Sequence, residues 1–165
     1  MDTIGIDVGG VIMDRANDDT DTSFFSDNFL NTTATPETFE TIKRLVDERF
    51  GERAHIVSKC GKNVQEKTLR WLEHHRFYER TGLKPSHVHF CRQRHEKAGI
   101  CRKLGITHFI DDRLEVLSHL VPNVSNLFLF RPQDEEVNRY SDFLVRVQRV
   151  ESWAEVAGYV LGGVP

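Results

Sequence analysis

The sequence lacks any apolar run near the roughly 18 residues that a membrane-crossing helix needs. It lacks an excess of basic residues: 22 Lys and Arg stand against 25 Asp and Glu, a net charge of −3. That balance argues against an electrostatic grip on nucleic acid, although a local anion site fits an acidic protein. Cysteine is scarce. Cys60, Cys91 and Cys101 are odd in number and match no zinc-ribbon or disulfide spacing. Reduced thiols and a cytoplasmic-type compartment are the expectation. No signal-peptide pattern opens the chain, which enters a strand-like run almost at once. Repeats and low-complexity tracts are missing too. What is present is 39% hydrophobic and 28% charged residues over 165 positions. That composition fits a soluble globular protein folded as one domain, residues 1–165.

Five short apolar runs, at 3–8, 54–58, 87–91, 107–111 and 126–130, have strand length and β-branched or aromatic content. Helical spacing fills the gaps. One helix opens at Pro36 and Glu37 behind Thr35 as N-cap, with Phe39, Ile42, Leu45 and Val46 on one face. A second is predicted over about 63–80 through Leu69 and Leu72. A third runs over about 96–103 and stops at Gly105. A fourth follows Asp112 through Leu114, Leu117 and Leu120. A fifth carries Phe143, Leu144 and Val147, and a last one starts near Ser152. Strands alternating with helices imply a parallel sheet covered on both faces. In such sheets ligands bind beyond the carboxyl ends of the strands.

Those ends carry Asp7 with Gly9 and Gly10, then Ser58 with Lys59, and then Asp111 with Asp112. Arg92, Arg94, His95 and Lys97 follow the third run. Three carboxylates on adjacent loops cannot all stay charged without a cation. Hard oxygen ligands at that density suit Mg²⁺, which shares ligands with substrate phosphates. A hydroxyl and an ammonium suit the remaining phosphate oxygens. An aspartate can itself attack phosphorus, and glycines allow close backbone approach. The same residues have plainer readings: Asp111 and Asp112 as helix caps, Ser58 as a turn residue, Lys97 as a solvated lysine with Lys59 and Lys62 as its rivals. His87 and His89 share a strand face, where a zinc site would still need a third ligand. Cys60 lies near the proposed phosphate site without the His–Asp set of a catalytic thiol.

In order, the motifs IleGlyIleAspValGlyGlyVal, HisIleValSer, a lysine ahead of the fourth strand and HisPheIleAspAspArg resemble the haloacid dehalogenase superfamily of phosphohydrolases, across residues 3–130. The resemblance implies a three-layer Rossmann-like α/β sandwich of five parallel strands in the order 5-4-1-2-3. It implies Asp7 as nucleophile, an aspartyl phosphate intermediate and one Mg²⁺. Ser58, Lys59, Lys97 and Gly10 would hold the phosphate, with Ser58 and Lys97 also serving catalysis. Asp7, the Gly9 carbonyl, Asp112 and Asp111 would serve the metal.

The pattern departs from the family in two places. Family phosphatases carry an acid/base aspartate two residues after the nucleophile, and here that residue is Gly9. The loss is worth about 10²–10⁴-fold. Three outcomes stay open. The chain is a slow phosphatase restricted to good leaving groups, or it imports an acid such as Asp14, Asp18 or His95. Otherwise it is a catalytically impaired module that binds a phosphorylated ligand or a protein partner. A nucleotide-binding oxidoreductase is the weaker alternative, because ValGlyGlyVal lacks the dinucleotide glycine spacing. The second departure is size. No segment is long enough for a cap domain, and residues 15–35 make at most an acidic flap with Asp18, Asp19, Asp21 and Asp27. An open site suggests a macromolecular substrate, a cap from another subunit or weak water exclusion; the expected partners are a phosphorylated small molecule or a phosphorylated macromolecule, with a homodimer possible.

Overall fold

The computed structural model describes residues 1–15, 24 and 26–162. Its centre is a six-stranded parallel sheet. The strands are β1 (Ile4–Ile6), β2 (Ala54–Lys59), β3 (Val88–Cys91), β4 (His108–Asp111), β5 (Asn126–Phe130) and β6 (Gln148–Val150), in the order β3-β2-β1-β4-β5-β6. The helices are α1 (Thr38–Leu45), α2 (Lys62–His74), α3 (Phe77–Thr81), α4 (Lys97–Leu104), α5 (Leu114–Leu120), α6 (Asp134–Arg139) and α7 (Trp153–Leu161). Among the described residues there is no cap domain, and no helix is long and apolar enough to cross a membrane.

Alternation along the strands builds a core on each face, as a doubly covered parallel sheet requires. Ile4, Ile6, Ile56, Ile110, Phe128 and Phe130 pack with Trp71 of α2, Phe77 of α3 and Trp153 of α7. Val57, Phe109, Leu127 and Leu129 pack with Leu114, Leu117 and Leu120 of α5. At Gly5 the sheet needs the missing side chain. A Cβ there would lie 2.6 Å from Phe109 Cδ2 and 2.9 Å from Ile106 Cδ1. Gly5→Ala is therefore expected to cost about 1–3 kcal/mol through overpacking, read as a lowered urea midpoint at unchanged slope.

Four expectations are corrected. The sheet has six strands, not five. The segment around Phe143, Leu144 and Val147 is not an α-helix but a 3-10 turn, Ser141–Arg146, leading into β6. β6 pairs with β5 (Phe130 opposite Val150) and buries only Val150. Polar Gln148 and Arg149 suit an edge strand and leave it without an apolar alternation. The long helix over 63–80 is broken. α2 ends at His74, Arg76 turns with φ 55°, and α3 restarts so that Phe77 is fully buried against Phe39, ring centroids 6.0 Å apart.

Thr35 does not cap the first helix either, because Glu37 sits at φ 66° and α1 begins at Thr38. The Thr35 hydroxyl instead donates to the Val11 carbonyl at 2.6 Å and accepts from Trp153 Nε1 at 2.9 Å. That buried junction pins the loop that follows β1. Of the stretch 15–35, Asp18, Asp19 and Asp21 lie outside the described residues. Phe24 and Phe29 are buried edge to face at 5.8 Å, and Asp27 is exposed.

Candidate active site

β1 delivers Asp7 to the carboxyl edge of the sheet, where its N–H donates to the Ile110 carbonyl at 3.0 Å. The chain then folds tightly on itself. Val11 and Ile12 donate to the Val8 carbonyl at 3.1 and 2.9 Å, and Gly10 donates to the Met13 carbonyl at 2.9 Å. Val8, Val11, Ile12 and Met13 are buried, so this loop is held by packing as well. Gly10 has φ 79°, and a Cβ on it would run into the Asp112 carboxylate. Position 10 is thus glycine for two reasons, a left-handed backbone and a close neighbour.

Asp7, Gly9, Ser58, Lys59, Lys97, Asp111 and Asp112 line one hollow of about 250 Å³. Arg15, Arg94, Arg113 and Val116 complete it. Lys97 opens α4 and is 2% exposed. Its ammonium donates to Asp7 Oδ1 at 2.9 Å and to Asp111 Oδ2 at 2.8 Å. Asp111 also accepts from the Arg113 N–H at 3.0 Å. Asp112 pairs with Arg15, whose Nη2 lies 3.0 Å from Oδ2 and 3.1 Å from the Arg131 carbonyl. Lys59 lines the hollow from an exposed position. Lys62, at the start of α2, is not among its lining residues.

The three acids are buried close to one another. Burial pushes the Asp7 carboxyl up to about 6; Lys97 pulls it down and Asp112 raises it further. Burial likewise raises Asp111 well above the carboxylate range, with Asp7 adding to it. Burial disfavours the Lys97 ammonium, but Asp111 and Asp7 outweigh that and hold it protonated. Carboxylate oxygens of Asp7, Asp111 and Asp112 lie within 4.8 Å of one another. Three buried acids facing one buried ammonium suit a hard divalent cation with oxygen ligands. No other group of three His, Cys, Asp or Glu side chains among the described residues converges this closely.

The remaining sequence expectations fall elsewhere. His87 and His89 do gain a third imidazole. His55 stacks on His87, centroids 4.5 Å apart, and its Nδ1 lies 3.0 Å from His89 Nε2. Their nitrogens do not converge as a metal set. Cys60 is buried and its thiol is pushed up by burial, the opposite of an activated nucleophile. Of the basic group after β3, Arg94 reaches the hollow and pairs with Glu115 at 3.0 Å. Arg92 donates to the Cys60 carbonyl at 2.8 Å, and His95 lines a separate groove beside β3. Asp14 lines the neighbouring hollow with Thr35, Arg131 and Glu151. Sequence reading missed Arg15 and Arg113 at the site. Arg113 directly follows the acidic pair, the one signal available for it. Nothing local marks Arg15, which reaches Asp112 only through the tertiary fold.

No protein-family profile and no curated protein matches the sequence. Solved structures do. A D,D-heptose 1,7-bisphosphate phosphatase from B. bronchiseptica, complexed with magnesium and phosphate, superposes with a TM-score of 0.70 at 16% identity, over 98% of this chain and 99% of that one. A HAD family hydrolase from Deinococcus radiodurans R1, with bound phosphate and sodium, gives 0.66 at 13% identity, over 98% and 95%. A D,D-heptose 1,7-bisphosphate phosphatase from Burkholderia thailandensis gives 0.59 at 13% identity, over 99% and 100%. With the sheet order and these superpositions together, the chain has the α/β fold of the haloacid dehalogenase-type hydrolases.

Proposed function

We propose that this protein is a phosphohydrolase that transfers a phosphoryl group to Asp7 and then to water, with Mg²⁺ in the site. The carrying observation is the Lys97 ammonium bridging Asp7 and Asp111, with Asp112 in the same hollow. That bridge fixes one Asp7 oxygen within the hollow, and a nucleophile must be held in place. Ser58, Lys59 and Lys97 are the groups we assign to the phosphate oxygens; the Gly10 N–H, expected among them from the sequence, is instead given to the Met13 carbonyl. Asp7, Asp112 and the Gly9 carbonyl are assigned to Mg²⁺, with Asp111 held to Lys97 behind them. The metal would draw charge from the phosphate oxygens. The site's donor set supports a hard cation, and neighbours of the same fold carry phosphate with magnesium or sodium.

The test is phosphate release from an activated aryl phosphate, with and without Mg²⁺, beside Mn²⁺ binding followed by electron paramagnetic resonance. Mg²⁺-dependent release is expected in the wild type and none above background in Asp7→Asn. Release that survives Asp7→Asn, or wild-type protein that binds no divalent ion, would overturn the assignment.

A further inference from the structure

Transfer of a phosphoryl group to Asp7 leaves an electron pair on the departing oxygen. An alkoxide cannot leave so without a proton, which a positioned acid normally donates. Among the described residues, the acids lining this hollow are Asp7, Asp111 and Asp112. Asp7 is the nucleophile, Asp111 is held by Lys97 and the Arg113 N–H, and Asp112 is held by Arg15. Position 9 has no side chain, and no atom of the described residues lies within 4 Å of where its Cβ would be. Asp14 and His95 line other hollows. The rim is instead cationic, with Arg15, Lys59, Arg94 and Arg113 around the mouth. Arg94 is paired with Glu115 and Arg15 with Asp112. Among the described residues neither Lys59 nor Arg113 is ion-paired.

We infer that the substrate is a phosphoanhydride, whose leaving group is itself a phosphate and departs without a proton, stabilised by Lys59 and Arg113. This inference rests on the Asp7 reading above. In the first step an Asp7 oxygen bonds to the terminal phosphorus and the bridging P–O bond breaks. Its electron pair stays on the bridging oxygen, which becomes a terminal oxygen of the released phosphate. No proton moves. In the second step water attacks the aspartyl phosphate phosphorus, the P–O bond to Asp7 breaks, and the carboxylate recovers its electron pair. The proton of the water passes to the inorganic phosphate formed. Positive charge at the mouth does for the leaving group what an acid does elsewhere, and guanidinium matches phosphate in geometry.

The experiment compares kcat/KM for inorganic pyrophosphate, a series of aryl phosphates of rising leaving-group pKa, and glycerol phosphate. Rates should fall steeply along the aryl series, with pyrophosphate at least tenfold above the least acidic aryl ester and glycerol phosphate slowest. Arg113→Gln should slow pyrophosphate about tenfold or more and a nitrophenyl ester by much less, whereas Lys59→Gln, which also removes a phosphate ligand, should slow both. Asp7-dependent turnover with a flat leaving-group dependence would overturn the inference and leave the nucleophile standing; it would reveal a proton donor, Asp18, Asp19 and Asp21 included. Turnover that survives Asp7→Asn would instead overturn the nucleophile. No turnover of pyrophosphate or any aryl ester would overturn both.

Discussion

Gly9→Asp is expected to raise kcat/KM for alkyl phosphate monoesters by about 10²–10⁴-fold, the usual contribution of a positioned acid and base. The site can take the side chain. Gly9 is exposed, its backbone lies outside the left-handed region, and no atom of the described residues lies within 4 Å of the added Cβ. The new carboxyl would stand two residues after Asp7, on the same tight loop. Activated aryl esters should gain far less, because their leaving groups need no proton. The readout is therefore the change in leaving-group slope, not the rate on one substrate. A fourth acid beside Asp7, Asp111 and Asp112 adds repulsion, so the variant should also gain affinity for divalent ions, visible by calorimetry. An unchanged slope with intact Asp7-dependent turnover would show that the first step already has its proton.

Lys97→Met should abolish turnover and cost about 3–5 kcal/mol of stability near neutral pH, the penalty for leaving buried charges without their partner. The ammonium is 2% exposed and holds two acids at 2.9 and 2.8 Å. Methionine fills most of the volume, which separates the electrostatic loss from a cavity. The sign with pH follows from the raised acids. Burial lifts Asp7 from 3.8 to about 6 and lifts Asp111 in the same direction. Between the unfolded and folded values the native state binds more protons. The stability tied to Asp7 is therefore complete below about 3.8 and lost as pH rises through about 6, and Asp111 acts in the same direction. Without Lys97 that loss deepens. Urea denaturation should show a large deficit for Lys97→Met at pH 8 and a smaller one at pH 5. An equal deficit at both would mean that the ammonium acts by packing alone.

The architecture was legible because burial on both faces of a parallel sheet writes itself into short apolar runs. All five such runs are strands, and β1 to β5 take the expected order. The acids and the serine that line the hollow were legible for a related reason, since they sit at or just beyond strand ends. Asp7, Ser58, Asp111 and Asp112 each follow or close a run, and Lys97 opens the helix before β4. Local signals also set Gly105 at the end of α4 and Ser152 as the N-cap of α7, where it accepts from the Glu155 N–H at 3.1 Å.

Other features have no local cause. β6 is a strand because β5 offers it a ladder and α7 follows it; Gln148 and Arg149 carry no pattern of their own. The break at Arg76 has neither glycine nor proline and exists so that Phe77 can enter the core against Phe39. Thr35 has the chemistry of a helix cap but is drawn to the Val11 carbonyl and Trp153. Arg15 meets Asp112 from 97 residues away. The sequence by itself determined the layered fold, the acids at the strand ends and the missing side chain at position 9. Periodicity, turn chemistry and residue type act over a few positions, so one chain read alone suffices for them. Only the tertiary packing sets which cations face those acids, that Asp14 and His95 line other hollows, and that Asp7 and Asp111 share one buried lysine. Those outcomes depend on which distant segments pack together, and no local pattern encodes them.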